Sequence, residues 1–326
     1  MSDPNQFELN DLPSDGITNI CFSPDNSKNL LVSSWDSTLR LYNTTANQLI
    51  CKSEGESALL DCCFGQNSVA FSGSVEKKVK MHDLNTGSET VLGEHEKGVR
   101  CVEWSSETSS LYSGSWDATI QVWDPRSQSS QQTVNLPDKV FSMDLLNNKL
   151  AVAMAGRRIH IYDVRNMSQP WQVRDTTLKY MLKCIRLMPN AEGFACSSVE
   201  GRVALEFFES SREDKKYAFK SHRQVIYDNE VVYPVNALAF HPTYGTFASG
   251  GSDCFVNIWD GVNRKRVKQY PGYPEEIASL AFSPDGSMLA IASSYTFDEG
   301  ERDRESDTIF IRHLQDSEVR PRTINQ

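Results

Sequence analysis

Hydrophobic residues alternate with polar ones in short runs along this chain, and the runs come in recurring sets. Leu31-Val-Ser-Ser-Trp-Asp36 is followed by Leu39-Arg-Leu-Tyr42, Leu111-Tyr-Ser-Gly-Ser-Trp-Asp117 by Ile120-Gln-Val-Trp-Asp124, and Phe247-Ala-Ser-Gly-Gly-Ser-Asp253 by Val256-Asn-Ile-Trp-Asp260. Each set reads as strand, tight turn, strand. Weaker copies begin at Ala70, Leu150, Phe194 and Leu289, which makes seven. Their closing positions, Asn43, Asp83, Asp124, Asp163, Phe207, Asp260 and His313, are separated by 40, 41, 39, 44, 53 and 53 residues. A further alternating run precedes each copy, such as Ile17–Phe22, Val99–Trp104, Val235–Phe240 and Ile277–Phe282. Several of these end at Ser23-Pro24, His241-Pro242 or Ser283-Pro284, where proline stops a strand because it cannot donate to the ladder.

Short strands, a period near forty and closing Trp-Asp pairs resemble the WD-repeat family, whose repeats each fold as a four-stranded blade. The resemblance implies an all-β fold, a seven-bladed β-propeller. A ring of blades leaves no open sheet edge only if it closes. Gln6-Phe-Glu-Leu-Asn10 alternates suitably to supply the outer strand of the last blade. The expected organisation is one domain over 1–326, with a closing strand at 5–10, blades over 11–314 and a tail at 315–326.

Composition narrows the function. The 326 residues are 39% hydrophobic with a net charge of -10, which argues against disorder and against general affinity for nucleic acid or anionic membrane. No run approaches the roughly 18 apolar residues of a membrane span, and Met1–Leu12 lacks the apolar segment of a signal peptide. The eight cysteines contain no C-x-x-C and several lie in apolar runs, as reduced thiols do. A soluble protein of the cytosol or nucleus is expected, without metal or cofactor and without membrane or nucleic-acid partners.

His95, Ser113, Asp117 and Trp123 of the third repeat contain the parts of a hydrolytic triad, yet His222, Ser249, Asp253 and Trp259 repeat them in the sixth. Recurrence at equivalent places points to a buried network that ties strands together, not to catalysis. The two longest steps carry insertions. In Glu209–Arg223, Lys215, Lys216, Lys220 and Arg223 interleave with Tyr217 and Phe219, and Lys179, Lys183, Arg186 and Arg202 lie upstream. This cluster reads either as a site for phosphate or carboxylate or as a solvated basic loop. The mixed-charge stretch 297–307 reads as a mobile loop. Trp35 and Trp116, each before a turn aspartate, fall where an aromatic side chain near the mouth of the ring anchors a peptide.

Beyond the repeats, Ser33-Ser-Trp-Asp36, Gly114-Ser-Trp-Asp117, Ala155-Gly-Arg-Arg158, Leu178-Lys-Tyr180, Ser197-Ser-Val-Glu-Gly-Arg-Val203, Lys216-Tyr-Ala-Phe219 and Tyr233-Pro-Val-Asn236 resemble the spindle-checkpoint WD-repeat family. That resemblance implies a non-enzymatic adaptor at kinetochores, present also in nucleus and cytoplasm. Its top face would hold a short motif of checkpoint kinases and kinase-like proteins, with Trp35 and Trp116 in that face and Lys183 meeting the motif's glutamates. Arg202 and Lys220 would hold the phosphate of a phosphothreonine repeat in a kinetochore scaffold. The inhibitory assembly of the anaphase-promoting complex is a further implied partner. A sister family, the nuclear-pore messenger-RNA-export propellers, shares the architecture and is the alternative; it would bring a nucleoporin motif and single-stranded RNA as ligands.

Overall fold

A computed structural model describes residues 3–127, 129–270 and 272–321, which form seven four-stranded antiparallel sheets and one added two-stranded hairpin. Blade one runs outward from the axis as Ile17–Ser23, Asn26–Ser34, Thr38–Asn43 and Gln48–Glu54. Blades two to six repeat that order. The innermost strands follow one another around the axis, and that of blade seven packs against that of blade one. The chain is the expected seven-bladed propeller.

Blade seven takes its outer strand from the other end of the chain: Gln6–Glu8 pairs with Thr308–His313, opposing Phe7 to Ile311. Leu9 N donates to the Ile309 carbonyl at 2.9 Å and His313 N to the Asn5 carbonyl at 2.8 Å, so the seam extends beyond the strand at both ends. Leu9 is buried there. Past the last blade, the single helical turn Asp316–Val319 docks with Val319 buried, its carbonyl accepting from Thr246 Oγ1 at 2.7 Å.

Alternation explains the core. Every second side chain of a strand points to one neighbouring blade and the rest to the other. Apolar clusters therefore fill the spaces between blades, as where Leu31 and Leu41 of blade one meet Leu59 and Cys62 of blade two. Phe71 and Val79 of blade two likewise meet Val102, Leu111 and Trp123 of blade three. Gly93 makes the last contact possible, because a Cβ there would lie 2.4 Å from the Trp123 ring.

The serine, histidine, aspartate and tryptophan of blade three form one chain of bonds. Trp123 Nε1 donates to Ser113 Oγ at 2.7 Å, Ser113 Oγ lies 2.7 Å from His95 Nε2, and His95 Nδ1 lies 3.0 Å from Asp117 Oδ2. One proton assignment satisfies all of it: the hydroxyl accepts from indole and donates to Nε2, leaving Nδ1–H for the carboxylate. Burial lowers the His95 pKa against the pull of Asp117, so the ring is neutral. Blade six repeats the geometry, with His222 at 2.7 Å from Asp253 and 2.8 Å from Ser249, and Trp259 at 2.8 Å from Ser249. Such a site has no exposed nucleophile; it staples turn to strand.

The two insertions differ from their sequence reading. Only part of Glu209–Arg223 is loop: Ser210–Lys215 is a short 3-10 segment, and Tyr217–Lys220 is the outer strand of blade five, its aromatic residues following strand alternation. The added element is the hairpin Arg223–Ile226 with Asn229–Val232, turned by Tyr227 and Asp228, both at positive φ. The 297–307 stretch, read as a mobile loop, is tied down by its own charges. Arg302 reaches Glu275 at 2.8 Å, Arg304 reaches Asp15 at 3.2 Å and Asp298 reaches Lys183 at 3.1 Å. Arg302 and Arg304 also stack on Tyr295 and Phe297. A run of mixed charge orders itself when each charge finds a partner on a fixed surface.

Two outcomes follow. Replacing Ser113 with alanine leaves the Trp123 indole N–H and His95 Nε2 unpaired, which should cost about 2–3 kcal/mol in urea denaturation; a change within experimental error would show that the network is dispensable. His82, buried between Ser72 at 2.8 Å and Ser53 at 3.0 Å, is held neutral by burial and the nearby Lys80, its pKa lowered to about 3. Its folded pKa lies below the unfolded value near 6.5, so its contribution is complete above that value and is lost as pH falls toward 3. Imidazole nitrogen shifts should accordingly stay neutral from pH 8 to 4, and a midpoint near 6.5 would contradict this placement.

Candidate functional site

A cavity of about 580 Å³ opens on the face of the ring that carries the turns between second and third strands. Besides Ile17, six of its lining residues, Thr18, Leu60, Arg100, Lys183, Asn236 and Ala278, come from innermost strands. Every one is the extra residue of a β-bulge, since the register of the first strand pair shifts across Ile17/Asn19, Leu59/Asp61, Val99/Cys101, Leu182/Cys184, Val235/Ala237 and Ile277/Ser279. A bulge re-aims one side chain without disturbing the rest of the ladder. Six of the seven blades thus offer one bulge side chain each to the mouth, and its identity varies.

Trp35 and Trp116 stand on the rim. In blade one the turn is fixed by Asp36, whose carboxylate accepts from Thr38 N at 3.0 Å, Thr38 Oγ1 at 2.6 Å, Ser14 N at 3.1 Å and Arg40 Nη2 at 3.0 Å. Blade three uses Asp117 with Thr119 and His95 in the same way. Arg40 therefore does in blade one what histidine does in blade three. Burial opposes ionisation of Asp36, but the bonds from Thr38, Ser14 and Arg40 outweigh it and its pKa is lowered. Trp35 N donates to the Gly16 carbonyl at 2.9 Å and Trp116 N to that of Gly98 at 3.0 Å. Held by the backbone, Trp35 keeps 48% of its surface exposed. A large aromatic so exposed and so firmly held is preorganised for contact.

Lys183 completes this face, with its ammonium 3.1 and 3.3 Å from the two oxygens of Asp298. Arg100, which the sequence reading did not single out, lines the same cavity and donates to the Leu60 carbonyl at 3.2 Å. Below them the channel narrows around Asp61, whose oxygens accept from Asn19 at 2.6 Å, Cys62 N at 2.8 Å and Val102 N at 2.9 Å. Those bonds join three blades at the axis. Arg186 lies within this channel, 3.8 Å from Asp144, so it is not part of a surface cluster.

Arg202 and Lys220 are direct cross-strand partners at the upper end of blade five. Their charges are already shared with neighbours: Arg202 Nε is 3.6 Å from Glu200, and Lys220 Nζ is 3.0 Å from Glu230. Arg223 Nη1 reaches the same Glu230 at 2.7 Å, and its Nη2 donates to the Glu200 carbonyl at 3.0 Å. The hydrogen bond from Lys220 leads in holding the Glu230 pKa below the ordinary carboxylate value. The basic stretch thus divides. Arg202, Lys220 and Arg223 meet on the rim, Lys183 and Arg186 face the axis, and Lys215 lies before the strand, at its far end. Glu200, Glu230 and Asp298 escaped the sequence reading because only cations were sought there.

Comparison with known proteins agrees with this fold. The WD domain, G-beta repeat model matches residues 8–43, 87–124, 220–260 and 264–298. The solved structure of U3-55K superposes with a TM-score of 0.82 at 18% identity, covering 95% of this chain and 98% of that one, a likeness of fold alone. By architecture the chain is a WD40 propeller. The Arabidopsis thaliana "Mitotic checkpoint protein BUB3.1" is 51% identical over 97% of this chain and 94% of that protein. The Dictyostelium discoideum "Mitotic checkpoint protein bub3" is 44% identical over 96% of each. The chain belongs to the Bub3 family of mitotic checkpoint proteins, which are non-enzymatic propeller scaffolds. The export propellers are more distant, the Schizosaccharomyces pombe "Poly(A)+ RNA export protein" being 32% identical over 95% of this chain.

Asp298 anchors the loop over the cavity through Lys183. Replacing Asp298 with asparagine should speed amide hydrogen exchange severalfold at 297–301 while the melting temperature stays within a degree or so, because an exposed ion pair contributes little to global stability. Unchanged exchange would mean that Arg302 and Arg304 hold the loop by themselves.

Proposed function

We propose that the protein is a spindle assembly checkpoint adaptor that carries a bound partner to kinetochores. Its top face takes a short, acidic motif of checkpoint kinases or kinase-like proteins, with Trp35 and Trp116 as apolar anchors and Lys183 as the cation for the motif's glutamates. Arg202 and Lys220 hold the phosphate of a phosphothreonine repeat in a kinetochore scaffold. The inhibitory assembly of the anaphase-promoting complex is a further partner, and the protein works in the nucleus, at mitotic kinetochores and in the cytoplasm.

The observation that carries this reading is the pairing of Arg202 with Lys220 across adjacent strands on a protein of net charge -10. On so acidic a chain, cations gathered at one rim favour a specific anion over general attraction to polyanions. Two residues fixed by the ladder present their charges without the entropy loss that a loop would suffer on binding. The preformed cavity supports the second half of the reading. It is apolar at its rim and cationic at Lys183 and Arg100, which suits a peptide with both kinds of side chain.

The test is a pair of variants and a pair of ligands. Arg202→Ala with Lys220→Ala should weaken a phosphothreonine peptide by more than about tenfold, as expected for loss of charge-assisted bonds, and leave the kinase motif bound. Trp35→Ala with Lys183→Glu should do the reverse. Calorimetric titration reads both, and equal loss of both ligands in either variant would sink the assignment of separate sites.

A further inference from the structure

The proposed phosphothreonine site already contains an anion. Glu230 accepts from Lys220 at 3.0 and 3.2 Å and from Arg223 at 2.7 Å, so one carboxylate bridges two cations. Glu230 is carried by the hairpin Arg223–Val232, in which it opposes Val225, and it is about half exposed. Glu200 is placed differently: its Oε1 accepts from the Lys179 backbone N at 2.8 Å, and its other oxygen is 3.6 Å from Arg202. One acid is anchored to the main chain. The other is held only by the cations it covers.

Resting on the phosphothreonine reading of Arg202 and Lys220, we propose that Glu230 is the specificity residue of this site, an internal competitor that admits dianionic phosphate and rejects single carboxylates. A tethered carboxylate competes at high effective concentration. An incoming aspartate or glutamate would replace one monoanion by another and gain no charge. Phosphothreonine brings a charge of about -1.5 to -2 and three acceptor oxygens at neutral pH, enough to engage Lys220, Arg223 and Arg202 together. Displacement is accessible because exposed ion pairs are weak and exchange readily. Arg223 has a donor in reserve, since its buried Nε has no hydrogen-bond partner among the described residues. The local count is three cations, Arg202, Lys220 and Arg223, against two acids, and release of Glu230 leaves Glu200 alone opposing them.

The experiment uses a phosphothreonine peptide selected on the wild-type protein from a degenerate library fixed only at phosphothreonine. That peptide and its versions with glutamate or threonine at the same position are titrated into wild type and Glu230→Gln by fluorescence anisotropy. Wild type should prefer phosphothreonine to glutamate strongly. In Glu230→Gln the glutamate peptide should tighten by about two- to fivefold, the scale of one exposed ion pair, and the phosphopeptide by less, so the preference narrows. An unchanged preference, with phosphopeptide still bound, overturns the role of Glu230 alone. Loss of phosphopeptide binding in Glu230→Gln overturns it too, by making Glu230 a support for the cations. Failure of the library to yield any wild-type binder overturns both this inference and the phosphothreonine site beneath it.

Discussion

Everything on the two faces of this molecule depends on three residues near its beginning pairing with the last blade. Without Gln6–Glu8 against Thr308–His313, blade seven would present an open edge and the ring would be shut only by the packing of blade seven on blade one. The seam resists fraying because it has more than ladder bonds. Arg312 reaches Asp3 at 2.7 Å and Glu318 at 3.0 Å, joining closing segment, blade and terminal turn through one guanidinium. Arg312 is buried and stacks on Tyr270, so loss of either carboxylate would strand part of a desolvated charge. Closure in turn fixes the separation of the seven innermost strands, which is what gives the mouth a defined size.

Given a rigid ring, the bulge is the device that turns scaffold into site. It sets one residue per blade free from the inside-outside alternation that packing imposes on all others. This explains what could be read in advance and what could not. Blade number, closure and the buried network were legible at Leu31–Tyr42, Gln6–Asn10 and His95–Trp123, because burial enforces period-two alternation and self-satisfied polar groups. Lys183 and Arg100 sit inside apolar runs, Leu182-Lys-Cys184 and Val99-Arg-Cys101, whose alternation continues as if no residue had been added. Periodicity carries no sign of a bulge there; Lys183 was singled out by the run of cations and by the family resemblance, and Arg100 by neither.

A second kind of feature stayed hidden for an electrostatic reason. Charges in sequence are read by their neighbours in sequence, but Glu230 is ten residues from Lys220, and Asp298 is 115 from Lys183. The 297–307 stretch looked solvated since its charges alternate in sign and could satisfy one another locally. In the fold one local pair forms, Arg304 with Asp307 at 3.7 Å, but the stretch is anchored by Glu275, Asp15 and Lys183, each on a different part of the ring. Hairpin Arg223–Val232 was obscure for another reason: its turn uses Tyr227 and Asp228 at positive φ where glycine or asparagine would have announced it.

Blade five contributes to both proposed sites, which raises the question of how one affects the other. Lys183 lies on its first strand and Arg202 on its third, both at the upper end, so with strands about 4.8 Å apart the two are separated by roughly 10 Å. That exceeds the screening length of about 8 Å at physiological ionic strength, so an anion bound at one perturbs the other only slightly through solvent. Nor does the backbone offer a second arrangement to transmit, because the strands between them are buried and laddered on both sides. Coupling on this platform therefore arises where the two ligands touch each other across the rim, or where they compete for the side chains that cover the cations in the free protein. The propeller's contribution is to keep that distance constant.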